Sequence, residues 1–286
     1  MFANGGIAIA KFFGFAMTGA TSMLAEGVHS VADTGNQALL LWGGVAGRRA
    51  PDRERPFGYG RERYFWAFVV ALVMFSMGGL YAMIEGIDKI QHPHDLEQPM
   101  WAVGILSFGI LLEGGSFWIA FKEASKRRRG RSWWRFIRES KAPELVTVLL
   151  EDLGALVGLV LALVGVSAAM VTGDSRFDAL GSISIGVLLI IIAGVLANEM
   201  RSLLIGESAS IDTEQAIREA LESRESITSV DDLKTLQIGP DTILVAVKAR
   251  FIESLTSTET GKEIADAEEA IREAAPAARF VYLEPE

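Results

Sequence analysis

Apolar runs of bilayer-crossing length recur six times in the first two thirds of this chain, and no other feature restricts its fold as strongly. They fall at 4–24, 25–47, 64–90, 100–122, 143–171 and 177–200. A helix rising 1.5 Å per residue needs about 20 apolar residues to cross the hydrocarbon of a bilayer. Each run approaches or exceeds that length, which no soluble core strand requires. The first is the shortest in apolar content, because Lys11 interrupts it. Turns such as Thr18–Gly19–Ala20 mark the breaks between runs.

The loops set an orientation. Residues 48–63 carry Arg48, Arg49, Arg53, Arg55, Arg61 and Arg63, and residues 122–141 carry Lys122, Lys126, Arg127, Arg128, Arg129, Arg131, Arg135, Arg138 and Lys141. The loops near 18–22, 91–99 and 172–176 are poor in cations. By the positive-inside rule the basic loops face the cytoplasm. Alternation then puts both termini there, in a multi-pass protein of the inner cell membrane. Met1 to Ala10 has neither a positive n-region nor a cleavage site, so it is not read as a signal peptide.

The formal charge of −9 is unevenly spread. Residues 207–286 hold 18 Asp and Glu against 8 Lys and Arg, whereas the preceding part is nearly neutral. An acidic module therefore follows a membrane module, and no basic stripe speaks for nucleic acid. Thr213 to Arg224 is helical in period, with Asp212 as its expected cap. Leu233 to Ile238 and Thr242 to Ile252 alternate as strands around Gly239–Pro240–Asp241; Ser257 to Ala274 is a second helix and Arg279 to Leu283 a last strand. The order αββαβ suits an open sheet with its helices on one face. The absence of cysteine excludes disulfides and thiolate metal sites.

Glu26, His29 and Asp33 interrupt the second run at helical spacing and so share one face. Ionisable groups inside a bilayer cost several kcal/mol each unless paired, protonated or ion-bound. Imidazole and carboxylate one turn apart supply half of a divalent-metal site. Glu151 and Asp152 interrupt the fifth run at an overlapping depth. A polar cluster that only fixes helix packing is the competing reading.

Several ordered motifs resemble the cation diffusion facilitator family. The run from Thr18 through His29, Asp33, Asn36 and Gln37 is similar to its second-helix motif, and Arg55 to Arg61 (Arg-Pro-Phe-Gly-Tyr-Gly-Arg) to its loop motif. Leu149-Leu-Glu-Asp152 and the run from Asp178 resemble its fifth and sixth helices, with the zinc transporter 9-like branch the nearest. The resemblance implies an α-helical integral membrane protein of six transmembrane helices (1–205), followed by a cytoplasmic, ferredoxin-like αββαβ dimerisation domain (206–286). It also implies a homodimeric antiporter exchanging a divalent metal, best Zn²⁺, for protons by alternating access, with no permanently bound cofactor and no enzymatic activity.

Matched residue by residue, the implied transport ligands are His29, Asp33, Asp152 and position 148, which here is valine. Glu151, Glu26, Asn36 or water is then expected to supply the fourth contact. Arg61 and Glu207 match a charge pair at a membrane–cytoplasm hinge. A non-transporting partner of the same fold, or a Co²⁺, Fe²⁺ or Mn²⁺ carrier, is the alternative that Val148 keeps open.

The remaining ionisable groups carry milder expectations. Glu113 is expected to pair with Lys11 or relay protons; Glu85, Asp88 and Lys89 to be solvated near the outer interface; and His92 and His94 to be loop histidines without a role. Trp133 and Trp134 read as interfacial anchors, the basic cluster 126–138 as a lipid-headgroup contact, and Asp231, Asp232, Glu284 and Glu286 as a solvated acidic face.

Overall fold

The computed structural model describes residues 2–93, 96, 98–128 and 130–286, with side chains from Gly6 onward. His94 and Arg129 lie outside the described residues. Contacts divide the chain into two compact units, Met1–Gly44 with Phe65–Met200, and Val45–Tyr64 with Arg201–Glu286. The first basic loop thus groups with the C-terminal module.

The first unit is helical. It comprises α1 (Phe2–Thr18), α2 (Thr21–Ala46), α3 (Glu62–Val73), α4 (Tyr81–Gln91), α5 (Pro99–Arg128), α6 (Trp133–Glu139), α7 (Pro143–Thr172) and α8 (Arg176–Ile205), with their ends reaching into the second unit. A π-helical turn, Met74–Leu80, joins α3 to α4, making one 30-residue helix, Glu62–Gln91. That helix, α5, α7 and α8 are long and apolar enough to cross a membrane. The described apolar part of α1 is shorter, Gly6–Thr18. At 26 residues α2 has the length, but Glu26, His29, Asp33, Asn36 and Gln37 lower its hydropathy.

Side-chain polarity is inverted relative to a soluble protein. Leu111, Ile119 and Val171 are more than 70% exposed, while Glu26, His29 and Asn36 are at most 1% exposed. Hydrocarbon as solvent selects this arrangement.

The first helix ends earlier than its apolar run. The Thr18 hydroxyl donates to Gly14 O at 2.7 Å and accepts from Ala20 N at 3.2 Å. Gly19 adopts φ 62°, a left-handed conformation that glycine takes without strain. The chain therefore turns at the expected Thr18–Gly19–Ala20 break, so that residues 21–24 of the first apolar run belong to α2. Asp178, at the start of α8, caps α2 from across the bundle: its carboxylate accepts from Thr21 N at 2.8 Å, from the Thr21 hydroxyl at 2.9 Å, and from the Ser22 hydroxyl. Lys89 donates to the same carboxylate at 3.0 Å and to Gly19 O at 3.1 Å. Its expected solvation is corrected, since Lys89 is buried and needs Asp178 to balance its charge.

The π turn lies tightly on α8. A Cβ at Gly186 would come 2.8 Å from Gly79 O, so only glycine permits this approach. In the second basic loop, Ser132 caps α6 by accepting from Arg135 N at 3.2 Å. Trp133 packs on Phe121 of α5 at 4.8 Å between ring centroids, with the Arg128 guanidinium 4.7 Å above it. Trp134 alone of the two tryptophans is exposed.

The second unit contains α9 (Ile211–Glu222), β1 (Ile227–Gly239), β2 (Thr242–Phe251), α10 (Ser257–Ala274) and β3 (Ala278–Pro285), in the order αββαβ. β2 is central, antiparallel to β1 and parallel to β3. Its alternate residues Ile243, Val245, Val247, Ala249 and Phe251 form a core with Ile217 and Leu221 of α9 and Ala267 and Ile271 of α10. Ser210, not Asp212, caps α9, accepting from Thr213 N at 3.3 Å. Strand β1 begins at Ile227 rather than Leu233, because register shifts at 227–229 and 230–232 break the alternation there.

Candidate metal-transport site

Helical spacing brings Glu26, His29, Asp33 and Asn36 to one buried face of α2. His29 Nε2 lies 3.5 Å from Asp33 Oδ2, beyond a good hydrogen bond. Neither His29 ring nitrogen has a hydrogen-bond partner, and neither do Glu26 Oε1, Asp33 Oδ1 and Asn36 Oδ1. An unsatisfied buried polar atom costs about 1–3 kcal/mol. A helix face with five of them is a face with unused ligating capacity.

Glu151 and Asp152 of α7 point to different neighbours, as the 100° step between successive residues requires. Glu151 faces α2 and accepts from Asn36 Nδ2 at 2.8 Å. Asp152 faces α5 and accepts from the Ser116 hydroxyl at 3.1 Å. Both lie close enough to Asp33 for their charges to interact. Glu113 of α5 is also buried, within electrostatic reach of Lys11 first and then of Asp33 and Asp152. Val148 packs in the apolar group around Leu149, Leu150 and Phe136.

Glu26 is held differently. Lys11 of α1 donates to Glu26 Oε2 at 2.9 Å and to the Ser30 hydroxyl at 2.8 Å. The other carboxylate oxygen rests against Gly158 of α7, where any Cβ would collide with it. The expected Lys11–Glu113 pair is therefore replaced by Lys11–Glu26, two residues at similar depth on either side of the Gly19–Ala20 turn.

Among the described residues, no three His, Asp or Glu side chains converge tightly enough to enclose an ion in this conformation. His29 meets Asp33, Asn36 meets Glu151, and Asp152 stands one helix seam away with Ser116. Sequence reasoning missed Ser116 and Ser30 as partners. It also missed Gly78 of the π turn, whose Cβ would lie 3.6 Å from His29 Nδ1. Only the Gly78–Gly79 pair hinted at that close approach.

Outside the bundle, His92 is exposed with Nδ1 3.2 Å from Asp88. Asp231, Asp232 and Glu286 pair with Arg250, Lys234 and Lys248 at 2.9, 2.7 and 3.2 Å, so the acidic face is interleaved with cations. The Arg61 guanidinium lies 3.8 Å from where a Gly206 Cβ would be, beside Glu207 in the chain.

A family model described as the cation efflux transmembrane domain matches residues 1–205. The mitochondrial proton-coupled zinc antiporter SLC30A9 of Xenopus laevis is 32% identical over 243 residues, which is 84% of this chain and 44% of the relative. Metal tolerance protein C4 of Arabidopsis thaliana is 32% identical over 220 residues, 76% of this chain and 48% of the relative. Zinc transporter ZitB of Yersinia pestis is 24% identical over 230 residues, 80% and 68% respectively. The chain spans about half the length of the first two. Extent of match and ordered motifs together make this chain a member of the cation diffusion facilitator, or cation efflux, family, similar to the SLC30A9 antiporters and belonging with transporters rather than enzymes.

Proposed function

We propose that this chain is a proton-coupled efflux carrier for a divalent metal cation, Zn²⁺ being the ion that its imidazole and carboxylates suit best. The observation that carries this reading is the row of unpartnered nitrogen and oxygen atoms on the buried face of α2, opposite Glu151 and near Asp152. His29, Asp33 and Asp152 are the ligands, with Glu151 the best-placed fourth contact. Glu26 is the weaker candidate, because Lys11 already balances its charge.

Charge balance then couples the two fluxes. Two or three carboxylates around a neutral imidazole compensate a dication; once it leaves, protons must replace it or the buried charges stand unbalanced. Metal and proton compete for one set of atoms, so they cross in opposite directions. Alternating access requires α2 and α7 to bring Asp152 and His29 together in at least one state. The remaining parts of the reading are six membrane crossings, both termini in the cytoplasm at the cell membrane, and a homodimer formed through residues 206–286. Arg61 and Glu207 act as a charge pair at the hinge.

A second reading, a non-transporting membrane partner of the same fold, draws on Val148 and on the lack of three converging ligands among the described residues. Proteoliposomes with an imposed pH gradient discriminate between the two. Zn²⁺, Co²⁺, Mn²⁺ and Fe²⁺ are presented in turn to the parent and to Asp152→Ala. Proton-driven flux of one ion, lost in the variant, supports the carrier and names its cargo. A folded dimer that moves none of them is the partner.

A further inference from the structure

The C-terminal unit is acidic overall, yet four arginines converge on one cleft of it. Arg48, Arg49, Arg63 and Arg279 line a cavity of about 470 Å³ bounded by residues 47–60, the turn between β1 and β2, and the start of β3. The only carboxylate in this lining is Asp241, which lies 3.2 Å from Arg63. Arg49 lies 5.9 Å from the Tyr59 ring centroid. Among the described residues, Arg48 and Arg279 make no side-chain hydrogen bond or ion pair.

The walls hold the cleft open. Phe57 meets Phe280 edge-on at 5.2 Å. A Cβ at Gly60 would come 2.9 Å from Gly239 Cα, so the loop is seated against the β1–β2 turn. Three cations without a carboxylate face one concavity, and such a site recognises a compact anion. Guanidinium groups match phosphate oxygens in both charge and geometry.

Chain connectivity indicates where the anion comes from. Arg48 and Arg49 follow directly on α2, which ends at Ala46, and a residue spans at most about 3.6 Å. The cleft's first two arginines are therefore tethered to the end of a helix of the bundle. We propose that this cleft binds a phosphate group, presented as the headgroup of an anionic phospholipid. The proposal does not rest on the metal reading.

The test uses the full-length protein in detergent. Binding of short-chain phosphatidylglycerol and of phosphatidylcholine is followed by native mass spectrometry, and binding of inorganic phosphate by calorimetry. Phosphatidylglycerol is expected to bind in preference, weakening by roughly fivefold for each of Arg48→Gln and Arg279→Gln. Asp241→Asn should act in the opposite sense, tightening binding by removing the negative charge from the cleft, while Arg250→Gln on the open sheet face should change nothing. Inorganic phosphate binding that follows the same variants, without any preference for the anionic lipid, overturns the lipid assignment in favour of a soluble phosphate. Equal binding of both lipids without phosphate binding, or affinities unchanged in folded variants, overturns the site.

Discussion

The Lys11 ammonium sits 2.9 Å from Glu26 Oε2 with both side chains at most 1% exposed. An ion pair this deep gains little over a well-packed apolar pair, yet it strongly penalises loss of one member. It also occupies one oxygen of the only α2 carboxylate besides Asp33.

Lys11→Met should therefore destabilise the protein by about 3–5 kcal/mol, because it leaves the buried Glu26 carboxylate without its counter-charge. The double variant Lys11→Met/Glu26→Gln should recover most of that loss. Unfolding in detergent, arranged as a double-mutant cycle, measures both. Additive effects would show that the two residues do not act as a pair.

Asp178 makes a second prediction. Its carboxylate serves the first amides and hydroxyls of α2 and also the buried Lys89. Asp178→Asn keeps the shape but removes the charge, so Lys89 is left unbalanced and the cap weakens. Hydrogen exchange should accelerate in the peptide around 19–24, with α7 unaffected. Uniform acceleration throughout the bundle would instead mean that Asp178 supports global stability rather than the start of α2.

These two nodes also show where sequence reading stops. Length and hydropathy made the spans of α5, α7 and α8 legible, since each stays apolar over a bilayer's width even though α5 carries Glu113 and α7 carries Glu151 and Asp152. Alternation made β2 legible, because one of its faces is core and the other is not. Spacing alone grouped Glu26, His29 and Asp33. The partner of a buried charge is a different matter: Lys89 and Asp178 lie 89 residues apart, and nothing local to either names the other. Depth along a helix was readable, and so was the 100° step from Glu151 to Asp152, but not the neighbour each would face, Asn36 for one and Ser116 for the other.

That difference in azimuth can be tested through Asn36. Its amide fixes the Glu151 carboxylate toward α2 at 2.8 Å. Partners that orient a metal ligand typically contribute 10- to 100-fold in affinity. If Glu151 is the fourth contact, Asn36→Ala should weaken Zn²⁺ binding by about that factor, and Ser116→Ala should do the same through Asp152. Calorimetry of the detergent-solubilised protein reads both. A strong effect of Ser116→Ala with none from Asn36→Ala would remove Glu151 from the site.

The last prediction concerns the C-terminal unit and acid. The Ser226 hydroxyl and the Arg224 guanidinium donate to Glu263 Oε2 at 2.6 and 3.0 Å, tying α10 to the segment between α9 and β1. The hydrogen bond from Ser226, aided by that from Arg224, holds the Glu263 carboxyl below its ordinary value of 4.5. A carboxylate whose folded pKa is depressed contributes stability above its unfolded pKa and loses it as pH falls through the folded one. Parent and Glu263→Gln should therefore differ most near neutral pH, with the parent more stable. The gap should begin to close below about pH 4.5 and vanish once the carboxylate is protonated in both states. Local exchange in the 257–274 helix, followed against pH in both proteins, checks this. A gap unchanged across that range would mean that Ser226 and Arg224 recognise the shape of the side chain and not its charge.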